Sequence, residues 1–167
     1  MNINQLIAVQ VEDKIITCGI HRIQKCIDQL TEQQLQYRPN DNCNSINNLI
    51  LHLDGNVRQW LIATMSSADD QRNRNEEFDS SNQLAKHDLK EVLSVLEYDI
   101  RSILNDIEKI DLLASQDVQC YREPNLGILV HVIEHFSYHV GQITYITKML
   151  LDIDTGYYAG QDLTKVN

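Results

Sequence analysis

Three of the chain's six histidines, His131, His135 and His139, stand four residues apart in a stretch otherwise rich in apolar side chains. On a helix that spacing puts each ring one turn above the last, and Gln142 extends the ladder. Two imidazoles so placed can chelate one metal ion. At a helical step of about 100° per residue, Val132, Ile133, Phe136, Val140, Ile143, Ile146 and Leu150 share one apolar face. His139 falls roughly 50° from the centre of that face, His135 roughly 90° and His131 roughly 130°. His135 and His139 therefore lean toward a core, and His131 toward solvent or a neighbouring surface. Another histidine, His52, lies at the border of a second apolar face, between Leu49 and Asn56. Burying three imidazoles together demands polar partners for their ring nitrogens, or a metal that shares them.

Other bundle chemistries fit less well. A carboxylate-bridged di-iron site needs Glu-x-x-His on two helices, and none of the nine glutamates has a histidine three positions later. A Ser-His-Asp or Cys-His hydrolase needs a nucleophile in a suitable turn, and neither Ser137 nor Cys120 has that context.

Four apolar repeats would carry these residues. The first helix is expected over residues 3–30, with Ile16, Ile20, Ile23, Ile27 and Leu30 at spacings of three and four. The second starts behind Ser45 as N-cap, carries Ile46, Leu49, Ile50, Leu53, Val57, Trp60 and Leu61, and ends near Ser66. The third follows Leu89, Leu93, Leu96, Ile100, Ile103, Ile107 and Ile110. Pro124 disfavours helix at Glu123, so the fourth is expected over 126–151 with Asn125 as its cap. Between them, 31–44 contains the turn-forming Pro39-Asn40-Asp41-Asn42, and 111–125 reads as a loop. Residues 67–83 carry Asp69, Asp70, Arg72, Arg74, Glu76, Glu77 and Asp79 and read as a solvated connection without ligand spacing. No run alternates convincingly enough for a strand. The pattern predicts an all-α four-helix bundle, one domain over residues 1–167, with a polar tail from Asp152 onward.

The 24 acidic and 14 basic residues give a net charge of −10, which repels nucleic-acid phosphates and anionic membranes. No secretory signal and no transmembrane run of about 18 apolar residues is visible, so a cytoplasmic protein is expected. Cys18, Cys26, Cys43 and Cys120 lack a Cys-x-x-Cys spacing. They read as reduced thiols, Cys18 and Cys26 as buried small side chains.

Ser45-Ile46-Asn47-Asn48-Leu49-Ile50-Leu51-His52-Leu53-Asp54-Gly55-Asn56, with Arg58-Gln59-Trp60 and then Glu134-His135-Phe136-Ser137-Tyr138-His139-Val140-Gly141-Gln142, resembles the DinB-like (YfiT-like) superfamily of metal-dependent proteins. The resemblance implies a four-helix bundle, often a homodimer, in which His52, His135 and His139 bind a divalent metal. It also implies activity in some relatives as S-transferases or isomerases using low-molecular-weight thiols. Three neutral imidazoles leave coordination positions open, as catalytic zinc sites do, and nickel, iron or manganese also accept such ligands. The leading expectation is metal-activated thiol transfer on a small molecule. Metal-dependent hydrolysis, or a non-catalytic metal-binding or stress-associated bundle, are the alternatives. Gln142 is expected to bond a ligand or substrate, or to stand exposed, and Asn56 to orient the His52 ring or simply to be a surface amide. Glu134 reads as a surface or interhelical ion-pair partner. Gly55 and Gly141 inside helices suggest close helix approach, as at a dimer interface.

Overall fold

The repeat that begins at Ile3 forms one continuous helix, α1 (residues 3–29), in a computed structural model that describes residues 1–66, 68–79 and 81–165. Ser67, Ser80, Val166 and Asn167, which fall in the connection and tail expected above, lie outside the described residues. Asn2 and Gln5 cap α1 reciprocally, each side chain bonded to the other's backbone amide. Within α1, Glu12–Ile20 is wound with wider i→i+5 turns. The second helix, α2 (residues 46–65), begins in a capping box between Ser45 and Asn48, and its Arg58–Ile62 turn is also widened. Trp60 and Leu61, consecutive in that turn, are both buried.

The third helix, α3 (Lys86–Asn105), stops earlier than the apolar repeat. Ile107 is buried from a separate short turn, Ile107–Lys109, and Ile110 packs at the core's edge. The loop expected over 111–125 is instead a hairpin. Its strands β1 (Ser115–Val118) and β2 (Tyr121–Pro124) pair antiparallel, Ser115 opposite Pro124 and Val118 opposite Tyr121. Strands of four residues leave little alternation to read. Arg122 donates to both oxygens of Asp117 across the hairpin, a pairing that only the register creates. The last helix, α4 (Asn125–Leu151), starts at Pro124 as N-cap. Asn125 caps nothing, because its amide is turned back to donate to the Asp111 carbonyl.

α3 and α4 each pack against both α1 and α2, which makes an all-α bundle around one apolar cluster. The expected core positions of α1 and α2 are all buried, and those of α4 are buried or packed at the margin. The tail does not simply fray. Tyr157 returns to the bundle, with its hydroxyl 3.0 Å from Thr144 Oγ1 on α4 and 3.1 Å from Cys26 Sγ on α1. Cys26 is buried, whereas Cys18 is only half-buried beside Asp13. No helix among the described residues is long and apolar enough to cross a membrane.

Candidate metal centre

α2 and α4 lie side by side, and each presents a ladder at four-residue spacing toward the other. From α2 come His52, Asn56 and Trp60; from α4 come His131, His135 and His139. Three of these rings converge. His52, His135 and His139 each offer one ring nitrogen, and the three nitrogens lie within 4.8 Å of one another. His52 Nε2 and His135 Nε2 are 2.9 Å apart, and the His139 ring stands edge-on to both others. His52 and His139 are buried, and His135 is half-buried, open toward a groove. A second set of possible ligands, His87, Asp88 and Glu91, is exposed on α3.

The outward nitrogens of two rings are held. His52 Nδ1 lies 2.8 Å from Glu77 Oε2, and His139 Nδ1 lies 2.7 Å from Gln142 Oε1. Arg72 Nη2 also approaches His52 Nδ1, at the longer distance of 3.2 Å, and donates to Glu77 Oε2 at 2.9 Å. The shorter contact to a charged acceptor sets His52 as the Nδ1–H tautomer, which leaves the Nε2 lone pair facing inward. Gln142 does the same for His139. Gln142 is thus engaged with a ring of the cluster, not an idle helix amide.

Glu77 comes from the charged connection, where no ligand spacing was legible, and this corrects the reading of that run as solvated. Residues 68–79 form a strap across α2, with a short helix at Arg74–Phe78. The side chains of Glu77 and Arg72 are both buried, and Arg72 Nε donates to Glu77 Oε1 at 2.6 Å. The asparagines of the opening motif hold the chain there. Asn48 donates to the Glu77 carbonyl, and Asn47 donates to the Leu84 carbonyl. Gly55 has an explanation within the chain, since a Cβ at that position would overlap the Glu77 carboxylate and crowd Arg72. Gly141 differs: nothing lies within 4 Å of where its Cβ would stand.

Burial disfavours the protonated forms of His135 and His139, so their lone pairs stay free. Burial, followed by the neighbouring rings of His139, His52 and His131 and by Arg72, pushes the His135 imidazole down to about 3. Burial also lowers His139, against the bond it donates to Gln142, which favours its charged form. Burial alone would raise Glu77, but the hydrogen bonds from Arg72 and His52 outweigh it and hold the carboxyl below its ordinary range. At neutral pH His135 and His139 are therefore uncharged, and together with His52 and the Glu77 carboxylate behind it they make a donor set that a divalent cation takes.

His131 stays outside the convergence, as its position on the wheel predicted, yet it does not face open solvent. Its ring stacks on Trp60 with centroids 3.8 Å apart, and its Nε2 is buried without a partner among the described residues. Asn56 makes no bond to His52, whose outward nitrogen Glu77 has taken, and Asn56 Oδ1 likewise has no partner among the described residues. Glu134 forms no ion pair among the described residues and instead lines the groove beside His131 and His135.

A family model described as "Protein of unknown function (DUF1572)" matches residues 9–157. Among curated proteins, none matches the chain. A solved structure described as the conserved protein of locus from Enterococcus faecalis superposes with a TM-score of 0.65 at 19% identity, covering 92% of this chain and 99% of that one. At that identity the likeness shows a shared fold.

Proposed function

The chain belongs to the DUF1572 family of proteins of unknown function, and from its site we propose a DinB-like, metal-binding bundle in which His52, His135 and His139 hold one divalent ion. One observation carries this reading: His52 and His139 each have Nδ1 tied to an oxygen acceptor, which turns Nε2 toward the same point. Histidine ligands are commonly oriented by a carboxylate or carbonyl on the far nitrogen. The residues fit zinc or nickel best, and iron or manganese also accept such nitrogens.

The reaction we propose is transfer of a low-molecular-weight thiol to a small electrophile, with hydrolysis as the competing use of the same centre. A divalent ion held there supplies Lewis acidity, lowering the pKa of a thiol or water brought against it. The chain's own groups do the rest. Glu77 fixes the His52 tautomer and compensates the ion's charge. Arg72 keeps Glu77 ionised, Gln142 fixes His139, and the strap covers His52 from water. The groove beside half-buried His135 supports a substrate-accessible centre over a sealed structural one. The homodimer implied by the resemblance would use the outer face of α4, where Tyr138, Tyr145 and Met149 are exposed around Gly141.

Zinc and nickel titrations of metal-stripped protein test the centre. One ion per chain is expected, with affinity lost by about 100-fold or more in His52→Ala and His139→Ala and nearly kept in His131→Ala. No binding, or equal losses in all three, overturns the assignment. Thiol transfer is then assayed with a panel of small thiols and an electrophilic acceptor. Turnover that survives full chelation excludes a metal role in it.

A further inference from the structure

Beside the histidine cluster, a groove of about 470 Å³ lies between α2, α4, the strap and the hairpin. Among the described residues, four buried side-chain atoms lack a hydrogen-bond partner, and three of them, Asn56 Oδ1, Trp60 Nε1 and His131 Nε2, belong to side chains that line this groove. Asn56 and Trp60 are each only 4% exposed. Folded proteins leave few such atoms, because each forfeits its hydration without recompense. Their chemistry is complementary: the indole N–H can only donate, the amide oxygen can only accept, and the His131 nitrogen does either according to tautomer. A ligand satisfying them must both accept and donate, as an amide or a hydroxyl does.

The charges of the groove narrow the class further. Arg72 is committed to Glu77. Arg74 has its guanidinium over the Phe78 ring, 5.1 Å from the centroid. Glu123, on β2, and Glu134, one turn from His131 on α4, form no ion pair among the described residues, and both act on the His131 ring through their charge. Gly127 leaves room beside Glu123, since a Cβ there would come within 3.0 Å of its Oε2. Two free carboxylates thus stand at the His131 end, with the unmatched amide and indole next to them.

We propose that this groove binds a small organic amine that also carries an amide or hydroxyl group. Its ammonium pairs with Glu123 and Glu134, and its neutral polar group reaches Asn56 and Trp60. That the bound amine is also the reacting molecule rests on the histidine cluster being the metal centre; the recognition itself needs no metal.

Trp60 is the chain's single tryptophan, so its emission reports on the groove directly. Metal-free protein is titrated with glycinamide, an ammonium joined to an amide, and in parallel with acetamide and acetate, each followed by Trp60 fluorescence and by calorimetry. Glycinamide is expected to change the emission saturably with a millimolar dissociation constant, as suits so small a ligand. The other two should bind at least about tenfold more weakly. A Glu123→Gln/Glu134→Gln double variant should lose about tenfold in glycinamide affinity while keeping its helicity. Absence of saturable binding, acetamide binding as well as glycinamide, or an unchanged double variant each overturns the proposal. Acetate binding best also overturns it and assigns the recognition to Arg74. Zinc titration of the same samples keeps the two readings apart, since amine binding without zinc binding removes the metal centre alone, and the converse removes the amine site alone.

Discussion

α4 has two seams, and they are held by different physics. Toward α1 it is apolar: Phe136 is fully buried, and a Cβ at Gly19 on α1 would stand 2.7 Å from the Phe136 ring. Toward α2 it presents rings, His139 held by Gln142, that meet His52 of α2, itself held by Glu77. The first seam depends on filled volume and the second on direction. The same helix can therefore fail in two separable ways, one read as stability and the other as metal affinity.

The largest effect is expected on the apolar side. Phe136→Ala should cost about 3–5 kcal/mol of folding stability, measured by urea unfolding, while zinc affinity of the folded protein stays within about tenfold of the parent. Joint collapse of both quantities would mean that the seams are not independent. On the polar side, Glu77→Gln keeps the volume and removes the charged acceptor, and zinc affinity should fall about 10–100-fold. An affinity within about twofold of the parent would show that the strap covers His52 without orienting it. Gly55→Ala should lower zinc affinity by about tenfold by displacing the Glu77 carboxylate, although alanine favours the helix itself by about 1 kcal/mol. Equal zinc affinity would show that the strap accommodates the methyl group.

The smallest effect lies at the tail, where α1 and α4 share Tyr157. Burial and the Cys26 thiol push this phenol up to about 12, against about 10 in an unfolded chain. Between those values the unfolded chain releases the proton while the folded one keeps it. The contribution is therefore complete below about pH 10 and lost as pH rises toward about 12. Tyr157→Phe should be less stable by about 1 kcal/mol near neutrality, and its urea midpoint should approach that of the parent as pH climbs through this window. A constant gap would place the phenol in contact with water.

The helices were legible because each buries one face, and a buried face writes itself as spacings of three and four. The ladder was legible for the same reason: His135 and His139 on one turn repeat, with His52 at a face border, need no tertiary knowledge to be ranked above His131. What escaped was everything set by chain crossing itself. Glu77 and Arg72 sit in a charged run like any solvated one, and they become buried only because Asn47, Asn48 and Gly55 give that run a bed on α2. The hairpin escaped because four-residue strands have too few positions for alternation. The widened turns in α1 and α2 escaped because a shift of one residue leaves the apolar repeat readable on both sides.

Gly55 carries a consequence for reading other chains of this fold. In the order His52-Leu53-Asp54-Gly55, the glycine is a keyway cut three residues after the ring, and only a chain that has it admits a carboxylate from outside the bundle to that ring's far nitrogen. Where a side chain fills the keyway, the histidine must find its anchor elsewhere or turn freely. The residue that says whether this histidine is held is therefore one that touches no ligand and has no side chain at all.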